Sequence, residues 1–421
     1  MAYGAQVAFI CLHLHQTLLG GNRGKRKAMM TVRRNIDWID EAVIYQIMVD
    51  RFNGEWKETE NGNHFMGGTL KGVMDKLDYI QGMGFTSIWL SPVACSVNYH
   101  GYHVTDFLHV DPHFGTMDDL SALIKALHAR GMTVLVDYVP NHCSVEHPYF
   151  KEAMAHPHSA YRRWFYINED NSYKSFLNFG ELAKINLDYD EAADYMINVA
   201  RLYCQLGVDG LRIDHAVGPS FAFWKKAMTQ LTAEFPNRIF FGEVWAQGIH
   251  RCSFHTLHFK SFFHKIKYYF HPSRQESWQQ DYVGVLDGVL DFVYRGLLLE
   301  AVEQGKGIIG NRELEERVRR HFASYPSDYK LLLFLDNHDT DRFLFNARGD
   351  VRLLEEAIRF TRQWHRPFII YYGTEQGMRN EESVFSGKPY ADLAVRRCMD
   401  WNLPKEQTLY GQMKKWLQRH D

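Results

Sequence analysis

The chain has 421 residues, 46% of them hydrophobic and 23% charged, with 48 Lys and Arg against 50 Asp and Glu for a net charge of −2. That is enough apolar material for one large core or two to three ordinary ones, and it supplies no basic stripe of the kind a nucleic-acid partner needs. No stretch approaches the roughly 20 apolar residues of a membrane-crossing helix, and Cys11, Cys95, Cys143, Cys204, Cys252 and Cys398 form no CxxC pair, a pattern of free thiols in a reducing cytoplasm rather than of disulfides or zinc.

The chain opens with MAYGAQVAFICLHLHQTLLGG, a short apolar run interrupted by His13 and His15 and with no Lys or Arg before Arg23. It lacks the basic start of a secretory signal. Residues 1–36 are expected to form a disordered extension, with Met29 or Met30 as alternative starts. From Asp37 onward, apolar runs of strand length alternate with amphipathic stretches. The predicted strands are Ala42–Val49, Thr86–Leu90, Thr133–Val139, Gly210–Ile213, Arg238–Phe241, Val285–Leu290, Leu331–Leu335 and Pro367–Tyr372. Helices are predicted at Met117–Arg130, Glu191–Leu206, Phe221–Glu234, Glu313–Phe322 and Val351–Trp364. Eight strand–helix units predict an α/β fold, a (β/α)8 TIM barrel over 37–421. A doubly wound sheet would want a Gly-rich phosphate loop after the first strand, and DRFNGE is not one. One connection is long: residues 143–187, rich in His, Tyr, Phe and Asn, are expected to be an inserted loop domain on the active face.

The strand ends carry the chemistry. Strand three runs into Asp137, Asn141 and His142; strand four ends RID, with Arg212 and Asp214; strand five ends in Glu243; strand seven ends in His338 and Asp339. Residues two apart on a strand share a face, so Arg212 lies beside Asp214 and is expected to lower its pKa and keep it ionised. Singly, an Arg-x-Asp, a Gly-Glu or an Asn-His-Asp is an ordinary ion pair, solvated acid or turn. Together, in order and on one rim, they are hard to explain as chance: glycoside hydrolysis with retention needs two carboxyls about 5–5.5 Å apart across the scissile bond, a spacing that neighbouring strand ends of a small barrel can supply.

With VIYQIMVDRFNG, GFTSIWLSPV, HGYHVTDF, DYVPNH, GLRIDHAV, GEVWA, FLDNHD and FIIYYGTEQGM in this order, the chain resembles the α-amylase family, glycoside hydrolase family 13, from about Ala42 to its end. LAKIN (Leu182–Asn186) resembles the fifth motif of the neopullulanase and cyclomaltodextrinase branch. The resemblance implies Asp214 as nucleophile, Glu243 as general acid/base and Asp339 as transition-state stabiliser. It makes Tyr102, His142, Arg212, His338 and Trp245 substrate-binding residues, and α-glucans or malto-oligosaccharides the substrate. No cofactor is required by it. One calcium site is admitted, through Asn141 and the long third loop; a second is not, because the motif that needs an Asp reads Gly67-Gly68-Thr69.

There are departures. HAVGPS follows Asp214, neither the Lys-His of many α-amylases nor the Asn-Glu of the branch, and Ala246 replaces a frequent His. The family's C-terminal β-sandwich is missing after LYGQMKKWLQRHD: the chain is a barrel without that domain, or a fragment. A transglycosylase or isomerase acting on sucrose or trehalose, and a non-catalytic relative, remain as alternatives. The oligomeric state is open.

Overall fold

A computed structural model describes residues 34–57, 64–246, 249, 251–271 and 274–417; the expected extension, but for its last three residues, and Cys11 lie outside the described residues. Eight parallel strands close a barrel: β1 (Val43–Ile47), β2 (Ser87–Leu90), β3 (Thr133–Tyr138), β4 (Gly210–Ile213), β5 (Ile239–Gly242), β6 (Gly288–Leu290), β7 (Lys330–Phe334) and β8 (Phe368–Tyr371). Each strand pairs with its neighbours in sequence, and β1 meets β8 at Val43↔Phe368 to close the ring.

The strands read as unbroken apolar runs because both faces are buried, yet a period of two still divides them. Ile44, Trp89, Leu135, Ile239, Phe241, Leu332, Phe334 and Ile369 pack together inside the barrel. Their neighbours Val43, Tyr45, Val134, Val136, Phe240, Leu331 and Leu333 belong to the outer core against the helices. β4 contributes a glycine to the inner row: a Cβ at Gly210 would lie 2.4 Å from Ile239 Cγ2 and 2.9 Å from Leu135 Cδ2. The 3-10 turn Asp37–Glu41 closes the lower mouth, with Ile36 and Ile39 joining the inner cluster.

Two elements differ from the sequence expectation. Strand six is only Gly288–Leu290, because Val285 and Leu286 both turn back to bond the Tyr282 carbonyl, at 2.9 and 3.1 Å. A helix, Phe292–Glu303, follows it unannounced; FVYRGLLLEAVE is apolar on too many sides to show a clear period. Asp291 caps that helix by accepting the Tyr294 N–H at 3.1 Å. Between β3 and the helix Asp190–Leu206, the chain builds a small antiparallel sheet from His142–Ser144, Ser175–Phe176 and Phe179–Lys184, beside the helix Pro148–Ala155. The last described helix, Tyr410–Leu417, buries Met413, Trp416 and Leu417.

Candidate active site

The inner row continues past the strand ends and changes character. On β3 it runs Leu135, Asp137; on β4, Gly210, Arg212, Asp214; on β5, Ile239, Phe241, Glu243. The register sets Asp137 beside Arg212 and Arg212 beside Phe241. Backbone bonds from Asp214 N–H to Tyr138 O and from Glu243 N–H to Ile213 O, both 2.8 Å, extend the ladder by one residue. Asp214 and Glu243 are thereby lifted into a cleft of about 1070 Å³, which Tyr102, His142, Trp245, Asp339 and Arg396 also line.

Arg212 lies beneath that lining, fully buried, and touches three carboxyls. Its Nη1 bonds Asp137 Oδ1 at 2.8 Å and Asp214 Oδ1 at 2.9 Å, and its Nη2 sits 2.6 Å from Glu243 Oε1. Arg212 does pull the Asp214 pKa down, as expected, but burial outweighs it. Burial pushes Asp214 well above the carboxylate range against the pull of Arg212, and the charges of Glu243, Asp137 and Asp339 push it further. Burial raises Asp137 and Glu243 as well. One guanidinium shared among three desolvated carboxyls favours a proton retained by the group. A general acid needs such a proton; of the two carboxyls of this group that line the cleft, Glu243 has a backbone donor besides Arg212, which pulls against the rise from burial. Its Oε2 accepts the His215 N–H at 3.1 Å, and His215 reaches that position with a left-handed backbone, φ 43°, a strained conformation for a non-glycine residue.

Asp339 behaves oppositely. Burial would raise it, but His338 and then Arg396 hold it far below the ordinary range. Arg396 donates from Nη2 to Asp339 Oδ1 at 2.8 Å and from Nε to the His338 carbonyl at 2.9 Å. The sequence reading missed Arg396; it follows β8, and no local motif ties it to Asp339. His338 is read from sequence as a sugar contact, but its ring is already engaged. Nδ1 meets Gln46 Nε2 at 2.8 Å, and Nε2 meets Tyr102 Oη at 2.7 Å and Asp339 Oδ2 at 2.8 Å. In this arrangement it orients Tyr102 and Asp339. The Tyr102 ring stacks parallel to His338, and its hydroxyl also donates to Asp137 Oδ2 at 2.9 Å. Trp245 stacks on Phe292 with ring centroids 4.9 Å apart, leaving its other side to the cleft wall.

His142 Nε2 is buried and makes no well-formed hydrogen bond, with the Tyr102 backbone close to the ring. Burial pushes the ring down to about 3, so it is neutral in ordinary conditions. Beside it, Asn141 Oδ1 accepts from the Lys184 ammonium at 2.9 Å, and the same ammonium donates to the Gly218 carbonyl at 2.7 Å. Thr69, in the second family calcium motif, uses its hydroxyl to accept the Gly72 N–H at 3.0 Å. Among the described residues no group of three or more His, Cys, Asp and Glu could hold a metal ion.

Comparison with known proteins then adds to the geometry. The alpha amylase catalytic domain matches residues 46–175 and 168–421. "Alpha-amylase 2" of Dictyoglomus thermophilum is 33% identical over 395 residues, covering 91% of this chain and 64% of its own length. "Neopullulanase 2" of Thermoactinomyces vulgaris is 28% identical over 395 residues, covering 88% and 60%. The chain thus spans somewhat under two thirds of these relatives. Among solved structures, the cyclic α-maltosyl-(1→6)-maltose hydrolase of Arthrobacter globiformis in its ligand-free form superposes with a TM-score of 0.73 at 24% identity, covering 90% of this chain and 83% of the other. That last likeness is one of fold.

Proposed function

The chain belongs to the alpha-amylase family, and from that premise we propose that it is a retaining glycosidase cleaving α-1,4-glucosidic bonds of malto-oligosaccharides or related α-glucans. The observation that carries the reading is the single guanidinium of Arg212, in contact with Asp137, Asp214 and Glu243 at 2.8, 2.9 and 2.6 Å beneath one cleft. Two carboxyls held by one fixed cation face a common space, as double displacement requires. Asp214 attacks the anomeric carbon as Glu243 passes its proton to the leaving oxygen, and a glycosyl ester forms on Asp214. Water then adds to that carbon, giving its proton to Glu243 and restoring both groups. Asp339, held ionised by His338 and Arg396, stabilises the positive charge that develops on the sugar ring.

The relatives named as an α-amylase and a neopullulanase support α-glucan as the substrate class. A cytoplasmic location is part of the same proposal, supported by Cys95, Cys143, Cys204, Cys252 and Cys398, which are not joined in disulfides. Incubation with maltotriose, pullulan and β-cyclodextrin, with chromatography of the products, is the test. Shorter maltosaccharides of retained anomeric configuration are the expected result. Products longer than the substrate as the main outcome would favour transfer over hydrolysis, and no product from any of the three would remove the assignment.

A further inference from the structure

Lys184 sits in the LAKIN segment, at the end of the strand Phe179–Lys184 that pairs with His142–Ser144. Its side chain crosses from the inserted domain to the barrel rim and is 2% exposed. It bonds Asn141 Oδ1, after β3, and Gly218 O, after β4. These are neutral oxygens of the kind calcium takes, an amide and a backbone carbonyl, and an ammonium already holds both. The Gly218 carbonyl is further engaged by His258 Nδ1 at 2.7 Å. The packing is close: a Cβ on Gly218 would lie 2.0 Å from Asn141 Oδ1.

An ammonium can only donate, so it decides which way the Asn141 amide points: the oxygen faces Lys184 and the Nδ2 faces away. That Nδ2 meets His142 Nδ1 at 3.3 Å, so Nδ1 accepts and the ring proton resides on Nε2. We propose that Lys184 is the resident cation of this junction, in place of calcium, and that through Asn141 it fixes His142 in the Nε2–H tautomer. Lys184 is a positioning residue. The proposal stands independently of the hydrolytic assignment, because its readouts are melting and ring tautomer.

At pH 6, below the value of about 7 to which burial pushes Lys184, wild-type protein is melted with EDTA and with millimolar calcium chloride, and histidine-labelled protein gives the ring ¹⁵N shifts, His142 being identified by its loss in His142→Gln. The expected results are a Tm unmoved by either addition and a His142 signal of the Nε2–H tautomer. Lys184→Met, which keeps the stem and loses the charge, is expected to lower Tm by about 3 °C or more and to mix the His142 tautomers. A wild-type Tm that falls with EDTA and recovers with calcium would overturn the resident cation. An Nδ1–H signal in the wild type, or an unchanged tautomer in a folded Lys184→Met, would overturn the relay. Both wild-type measurements decide the matter even if the variant does not fold.

Discussion

Arg212 and Lys184 are both buried cations on the upper rim of one barrel, at 0% and 2% exposure, and they keep opposite company. Arg212 contacts three carboxyls. Lys184 contacts an amide oxygen and a backbone carbonyl. Surrounding acids raise Arg212 well above its ordinary range in spite of burial, whereas burial pushes Lys184 down to about 7. A cation outnumbered by desolvated acids leaves protons to be held and moved, which is a device for chemistry. A cation among neutral dipoles moves no proton of theirs; it fixes their direction.

The sharpest way to break this contrast is to remove one acid from the Arg212 group. Asp214→Asn should lower kcat by roughly 10⁴-fold or more, while Tm holds or rises because one crowded carboxyl is gone. The pH dependence follows by sign. A carboxyl raised in the folded state binds its proton more tightly there, so its contribution is full below the unfolded pKa and is lost as pH climbs through the folded one. Melting curves should therefore fall less steeply in Asp214→Asn than in the wild type as pH rises above the ordinary carboxyl range; a variant that melts lower at every pH would show that Asp214 is a structural partner of Arg212.

Next comes the proton itself. Glu243→Gln should cost about 10²–10⁴-fold on natural glucans and far less in the first step on maltosyl fluoride, whose leaving group needs little protonation. The ester on Asp214 should accumulate and be released by azide as a glycosyl azide of retained configuration. Inverted azide product, or equal azide response in Asp214→Asn, would reverse the two roles.

A smaller effect is expected one contact away. Arg396→Gln should lower kcat/KM by about 10–10²-fold through displacement of Asp339. Arg396 also helps hold Asp339 ionised, so the acid limb of the pH–rate profile should move to higher pH. An unmoved acid limb would confine Arg396 to packing.

The smallest change is expected on the Lys184 side. His142 has a folded pKa of about 3 against an ordinary 6.5, so the folded state binds fewer protons and stability is lost as pH falls from 6.5 toward 3. His142→Gln, which cannot take up that proton, should melt like the wild type at neutral pH and lose Tm less steeply on acidification. Parallel slopes would mean that His142 protonates in the fold without cost.

These outcomes bear on how much a linear chain can say. The sequence alone determined that acids sit at the ends of strands three, four, five and seven, and a period of two on parallel strands puts Arg212 and Asp214 on one face and Glu243 on the next strand's end. Those relations are local, set by backbone geometry over a few residues. The helix Phe292–Glu303 escaped because Val293, Leu297, Leu299 and Val302, off its buried face, blur its apolar period. The fate of the expected ionised Asp214 was also decided by distance in space: desolvation and the sharing of Arg212 with Asp137 depend on closure of the ring. Gln46 meets His338 across 292 residues, Arg396 reaches Asp339 across 57, and Lys184 reaches Asn141 across 43. Nothing in a residue's own neighbourhood marks such partners. Only the closed barrel brings them within bonding distance and removes the water that would otherwise weaken their charges.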